Sequence, residues 1–538
     1  MNTTMRRLTR REFLMMVGGV GLAVSTAQSA GDVGMREVPK PAEQAGKRLY
    51  WGDLHNHNAV GYARGSLERA YDIAQEHLDF FCFTGHSQWP DMPAMPESPR
   101  KTHLRGFEVF RNNWEKVQRL ANDNYVPGQF VPFIGYEWHS SQKGDQCVVF
   151  PGEDAELRYI DDIRELQEFA KSFGAILIPH HPAYLTGWRG ANWDVLDTSV
   201  SPVLEIFSEH GNAESDLAPY GYDRHSMGGR YTVNTYQWLL QQGVRIGAVA
   251  NTDDHLGYPG AYGQGLCAVY ADDLTRESIF EAVKARHVYG VNADRIGLQF
   301  GLNGAFMGDS VAASSQRQIA VTVDGKSVID RVEVLRNNRV IHRDHPVDRV
   351  TDRDSWKKPV MCRIEYGWGS GGAVREENIF DWEFSVGIEN GEILEATPCF
   401  QSGPFDEDRR DTLSRAGENR YTVQSYTSRS NAYEERATKG VILKLNATPE
   451  TQLTVDIGQP VRKQVSKSMG ELAESSDVAF TGEFTSPSML FHRITFAEHY
   501  ETAFEVEDNR KPIADDWYYV RVQQSNGSLA WSSPIWVG

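Results

Sequence analysis

A chain of 538 residues is too long for one ordinary core and implies two or three domains. An apolar content of 40% excludes global disorder. A formal charge of −18, with no Lys/Arg block beyond the N-terminal leader, excludes a basic face for nucleic acid or an anionic membrane.

Near its N-terminus the chain carries an address. Thr9-Arg10-Arg11-Glu12-Phe13-Leu14 precedes a mildly apolar, glycine-containing run from Met15 to Ala27, the twin-arginine export pattern. Residues 1–30 are expected to form the signal peptide and 31–48 a flexible linker. The run is short for a membrane span. The expectation is therefore no stable membrane anchor, the twin-arginine machinery as partner, and a periplasmic or secreted product.

From Arg48 to Arg295, short apolar runs alternate with helix-like segments. Strands are predicted at 49–54, 79–84, 130–136, 175–179, 203–207, 246–251 and 266–270. Helices are predicted at 66–78, 104–121, 160–173, 233–242 and 275–286, with Ser66 and Thr275 as N-caps. Such alternation implies parallel pairing and an α/β architecture over 49–295, and seven strands favour an irregular barrel over a symmetric eight. Over 296–538 apolar and polar residues alternate between Gly, Asn, Asp and Pro, which predicts an all-β, sandwich-like C-terminal domain. Asn337-Asn338, Asn390-Gly391 and Asn526-Gly527 read as hairpin turns. The polar stretch from Ser402 to Arg436 reads as a mobile insertion. Cys82, Cys147 and Cys267 lie in apolar runs and read as small hydrophobes, with no disulfide framework.

The apolar runs of the first region lead into metal-type side chains. RLYWGD precedes His55-Asn56-His57, DFFCFTG precedes His86, VPFIGY precedes Glu137, and AILIP precedes His180-His181. IGAVANT precedes Asp253-Asp254-His255, and Glu205 lies inside VLEIF. A βα barrel gathers its functional groups at the C-terminal strand ends, so these side chains are expected to converge. The i, i+2 spacing of His55 and His57, repeated by Asp253 and His255, puts each pair on one side of an extended strand end. Imidazole with carboxylate suits Zn, Mn or Fe, and the absence of thiolates near the site speaks against a structural zinc. A carboxylate such as Glu137 could bridge two cations. His139, His210, Glu205 and Asp53 are candidates for the surrounding shell, Glu214 a weaker one. His77 and His103 fall on helices and read as surface residues.

HNH at 55–57, TGHS at 84–87, GYE at 135–137, PHH at 179–181 and TDDH at 252–255 together resemble the polymerase and histidinol phosphatase (PHP) superfamily. The longer phrases WGDLHNH, DFFCFTGHS and YYVRVQQSNGSLAWSSPIWV are more similar to a PHP-like branch known only as a domain of unknown function. The resemblance implies a distorted (β/α)7 barrel holding two or three divalent ions and hydrolysing phosphate esters. His55, His57, His86, Glu137, His180, Asp253 and His255 would be ligands, and His181 joins them on its position in the sequence. The chain departs from the family pattern at Gly85, where an Asp is usual, and at Ala63-Arg64, where an acidic residue or His is common. Two ions are thus expected rather than three, and Arg64 could supply charge to an anionic substrate.

The expected function is an exported multi-metal hydrolase, a phosphoesterase using metal-bound hydroxide. Glu137, Asp253 and His255 are its expected catalytic residues, with a small-molecule or glycan-type anion as substrate. Two alternatives remain open. One is a metal-dependent hydrolase of a non-phosphate bond. The other is a catalytically inactive glycan-binding protein in which Tyr184, Trp188 and Trp193 stack on sugar rings.

Overall fold

The computed structural model describes residues 46–222, 228–367, 379–401, 408–428, 437–483, 486–512 and 515–538. The twin-arginine segment and the linker up to residue 45 lie outside the described residues. The rest is a mixed α/β structure rich in sheet. Its first region contains β1 (Arg48–Asp53), α1 (Leu67–His77), β2 (Phe80–Phe83), β3 (His86–Gln88), α2 (Glu97–Asn112), α3 (Trp114–Asp123), β4 (Val131–Trp138) and β5 (Gln146–Phe150). There follow α4 (Ile163–Phe173), β6 (Ile176–Pro179), β7 (Val203–Ser208), β8 (Gly211–Asn212), α5 (Tyr236–Gln241), β9 (Gly247–Ala250), β10 (Leu266–Ala271), α6 (Arg276–Lys284) and β11 (Val288–Val291).

Local chemistry sets the helix limits. Ser66 Oγ caps α1 by accepting from Arg69 N, and Thr275 caps α6 by accepting from Ser278 N. Helix α4 ends at Gly174, whose φ of 66° is the left-handed turn-off that glycine adopts without strain. The segment predicted as one helix over 104–121 is two. Asn113 breaks it, its side-chain amide bonding back to Val109 O.

The strands run in the order β10-β1-β2-β4-β5-β6, with β7 and β9 in a separate short sheet. Pairing is parallel for β1–β2, β2–β4 and β7–β9, as the alternation of strands and helices implies. It is antiparallel for β1–β10, β4–β5 and β5–β6, a departure from uniform parallel pairing. Strand β5 is the cause of two of these. It returns directly from β4 through residues 139–145, with no helix to carry a crossover.

The β-rich region is not one sandwich. Strand β11 pairs with Leu529–Ser532, which pairs with Asp516–Gln524, which pairs with Ile329–Arg336, so one sheet crosses residue 295. A two-sheet sandwich does occupy the middle. Ile364, Tyr366 and Leu443 of one sheet share a buried core with Phe384, Val423 and Val455 of the other. Asn337-Asn338 and Asn526-Gly527 do turn hairpins, whereas Asn390-Gly391 is a corner between the two sheets. Residues 408–428 of the expected insertion include the paired strands Thr412–Gly417 and Arg420–Ser428, so this part is built into the sandwich. Residues 402–407 and 429–436 lie outside the described residues.

Candidate metal centre

Two short backbone ladders bring the side chains together. Asn56 bridges Asp254 in parallel, with His57 N donating to Asp254 O at 3.0 Å and Asp253 N to His55 O at 2.9 Å. This lacing places the His55/His57 and Asp253/His255 pairs on one face, as their spacing requires. In the second ladder His86 is the register partner of Glu137, and Glu137 that of Cys147. Asp253 sits at φ 54°, a left-handed conformation rare outside glycine and one that clusters at functional sites.

Glu137 is the hub. Its Oε1 lies 2.7 Å from His180 Nε2, and its Oε2 lies 3.2 Å from His139 Nε2, 3.4 Å from His86 Nε2 and 3.5 Å from His57 Nε2. Asp253 mirrors it across the floor. Oδ1 is 2.9 Å from His57 Nε2 and 3.3 Å from His55 Nε2, while Oδ2 is 2.8 Å from His210 Nε2. Among the sets whose ligand atoms all lie within 4.8 Å of one another are His57, His86 and His255; His55, His180, Glu205 and Asp253; and Glu137, Asp145, His180 and His181. Glu137, Asp253 and these histidines are buried, except His255, which is partly exposed.

Charge at the floor is set by burial and by neighbours. Burial opposes ionisation of Glu137, but His139, His180 and His86 overcome it and hold the carboxyl well below its usual range. Burial likewise opposes ionisation of Asp253, and His55 and His210 hold it well below. Burial, then the adjacent imidazolium of His255, pushes His57 down to about 4. Burial and neighbouring rings also push His86 and His180 well below the ordinary imidazole value. Ionised Glu137 and Asp253 beside neutral His57, His86 and His180 are the protonation states that metal ligands need. Asp253 raises His55 and Glu209 raises His255 against their burial, so these two would release a proton on taking up an ion.

The polar atoms of this floor fit a divalent ion better than they fit one another. His57 Nδ1, His86 Nδ1, Glu137 Oε2, His139 Nε2, His180 Nδ1, both nitrogens of His181, Glu205 Oε1 and both Asp253 oxygens are buried without a hydrogen-bond partner. His57 Nε2 and Asp253 Oδ1 stand 2.9 Å apart, yet that oxygen accepts no hydrogen bond. Such atoms cost about 1–3 kcal/mol each if left unpaired, and a cation meeting their lone pairs removes the cost.

Surrounding groups fix the ligands. Glu205 Oε2 accepts from His55 Nδ1 at 3.0 Å and from Asn251 Nδ2 at 3.0 Å, so it orients His55 and leaves Nε2 facing the floor. Glu209 Oε1 lies 2.9 Å from His255 Nδ1 and orients it in the same way. Asp53 is buried and holds the 252–260 turn, accepting from Thr252 Oγ1 and from the Thr252 and Gly260 amides. His139 lies between Glu137 and Asp145, and Tyr184 OH lies 3.0 Å from His210 Nδ1.

Several expectations are corrected. Arg64 is exposed, does not line the cavity over the floor, and meets the site only through its amide on His255 O. The guanidinium at the site is that of Arg189, which donates to Asp145 Oδ2 at 2.6 Å and lies 2.9 Å from His139 Nδ1. A thiol is near after all, since Cys147 Sγ groups with His55 and His180. Burial pushes that thiol up to about 12, so it stays protonated. His103 lines the cavity rather than the surface, and His77 is half-buried with Nε2 on Pro259 O at 2.8 Å. Gly85 is closely packed, since a Cβ there would lie 2.4 Å from the Phe110 ring. Trp193 packs in the core beside α5 and Tyr184 is buried, which leaves Trp188 alone of the three aromatics at the cavity. Glu214 is buried away from the floor, where it accepts from Tyr519 OH and Trp531 Nε1.

Comparison with known proteins gives likeness without a function. A family model described as a protein of unknown function (DUF3604) matches residues 74–162. An uncharacterized protein of Chlamydia pneumoniae is 30% identical over 261 residues, 43% of this chain and 41% of that one. An uncharacterized protein of Chlamydia trachomatis is 24% identical over 329 residues, 56% of this chain and 50% of that one. The chain thus spans about half the length of the curated relatives it matches. A solved two-domain protein of Bacteroides vulgatus, containing a predicted PHP-like metal-dependent phosphoesterase, aligns over 58% of this chain and 84% of its own. Its TM-score is 0.32 at 14% identity, too remote to transfer a fold or an activity.

Proposed function

We propose that the protein is a metal-dependent hydrolase of phosphate esters holding two divalent ions. One observation carries the reading: buried imidazole and carboxylate atoms without hydrogen-bond partners converge on the floor of an open cavity. His57, His86 and His255 would hold one ion and His55, His180 and Asp253 the other, and Glu137, near His57, His86 and His180, would be a further ligand. Bound there, such ions supply Lewis acidity and lower the pKa of water toward neutrality. The chain's own residues do the rest. Glu205 and Glu209 keep the His55 and His255 rings in one tautomer and orientation. His210 Nε2, facing the cavity and 2.8 Å from Asp253 Oδ2, is placed to take and return a proton, with Tyr184 OH at its other nitrogen. Arg189 holds Asp145 and His139 in place and brings a fixed positive charge to the cavity wall.

The fold reading that accompanies this function is a distorted (β/α)7 barrel, supported by the parallel pairs β1–β2, β2–β4 and β7–β9. Export through the twin-arginine route fits a protein that loads its metals while folding in the cytoplasm. Lysine at both Arg10 and Arg11 should keep it in the cytoplasmic fraction, and undiminished export of that variant would refute the route.

The activity is tested on aryl phosphate mono- and diesters with the full chain. The expected result is hydrolysis abolished by a chelator and restored by Zn, Mn or Fe. Bound metal without turnover of any phosphate ester would remove phosphate from the reading.

A further inference from the structure

The cavity over the floor has two chemically different halves. The inner half is the ligand set. The outer half, the more exposed part of the lining, is Pro93, Met95 and Trp188, with Tyr62 and His103 in edge contact with each other. Among the described residues lining the cavity, Arg189 is the one Lys or Arg, and it is engaged by Asp145 and His139. The lining carboxylates, Glu137 and Asp253, both belong to the floor. A second anionic group away from the ester would find no free cation there, only indole, thioether and proline. A flat uncharged ring needs no such partner.

Three observations point the same way. Trp188 is 59% exposed at the mouth, an indole held in water beside a cavity of about 390 Å³. That volume is near the lower end of small-molecule sites, roughly 300–1,000 Å³, and suits one compact ligand better than a polymer. Tyr62 stacks on His86 at 3.6 Å between ring centroids and meets His103 edge-on at 4.8 Å, and His103 Nδ1 is buried without a hydrogen-bond partner.

We propose that the outer half binds a flat, uncharged aromatic or heteroaromatic ring as the organic group of the ester, with His103 reading a polar substituent at its edge. The proposal rests on the hydrolase reading for the floor only. The ring stacks against Trp188 and Met95 while the ester reaches the ligands below.

Binding of unreactive analogues to the full, metal-loaded chain tests it, free of the leaving-group reactivity that favours aryl esters. Two pairs are compared by calorimetry: phenylphosphonate with ethylphosphonate, and benzoate with propionate. One aromatic stack is worth roughly 1–3 kcal/mol, so the aryl member should bind about 5- to 150-fold more tightly in each pair. Trp188→Ala and Met95→Ser should each lower that ratio toward one, and Trp188→Phe should keep most of it. Equal affinity within the phosphonate pair overturns the ring proposal and leaves the phosphate reading standing. Aryl preference among the carboxylates with no phosphonate binding supports the ring and removes the phosphate. No binding by either pair removes both. An aryl preference that survives Trp188→Ala and Met95→Ser also overturns the proposal.

Discussion

Two clusters of buried charge in this molecule make an instructive pair. In the β-rich region Arg336 donates to Asp516 Oδ2 at 2.7 Å and to Asp508 Oδ2 at 3.1 Å, Arg317 donates to Asp516 at 3.0 Å, and Tyr518 OH and Asn337 take up further acceptors. Every donor there meets an acceptor, and none of its atoms is among the buried groups without a partner. The floor of the first region is just as buried, but it crowds imidazoles around Glu137 and Asp253 and leaves their lone pairs unmet. The first cluster is a closed structural network. The second is left open, and on the proposed reading cations complete it; burial alone does not distinguish the two clusters, whereas hydrogen-bond accounting does.

Substitution should separate the two. Asp253→Ala removes oxygens that face both ligand sets, so bound metal and chelator-sensitive hydrolysis should fall to background while circular dichroism stays native. Retained metal would contradict the assignment. Asp516→Ala should do the reverse, destabilising the fold by about 3–5 kcal/mol because two guanidiniums lose their partner. Its metal content per folded chain should be unchanged, which denaturant unfolding and elemental analysis together would check.

Smaller effects sharpen the contrast. Glu205→Gln and Glu209→Gln leave the ligands in place but loosen His55 and His255, so metal affinity should drop about 10–100-fold in a chelator competition. No drop would make these carboxylates structural, like Asp516. Gly85→Ala should cost about 1–3 kcal/mol, because its Cβ would press on the Phe110 ring 2.4 Å away. A neutral melting temperature would show that Phe110 moves freely.

Seven strands of the first region, β1, β2, β4, β6, β7, β9 and β10, are legible because each is a short apolar run, and the ligands because each follows such a run. The i, i+2 pairs at His55/His57 and Asp253/His255 carried the most information, since two-residue periodicity maps directly onto one face. Strands β3, β5, β8 and β11 are absent from the predicted strands: β3 and β8 are only three and two residues long, and β5 follows β4 with no helix between them to mark a new strand. Arg189, Glu209 and Tyr62 come from loops whose approach to the floor is set by contacts far apart in sequence, such as Arg189 to Asp145. No local period announces them. Residue 295 was a plausible boundary by texture, but the pairing of β11 with Leu529–Ser532 involves residues more than two hundred positions apart, which no window along the chain can see.

The central claim is that the floor holds metal, and elemental analysis of the purified full chain tests it most directly. The account predicts about two equivalents of a divalent transition metal per chain, lost in Asp253→Ala and retained in Asp516→Ala. A wild-type protein that stays folded and takes up no metal after incubation with Zn, Mn and Fe would contradict it.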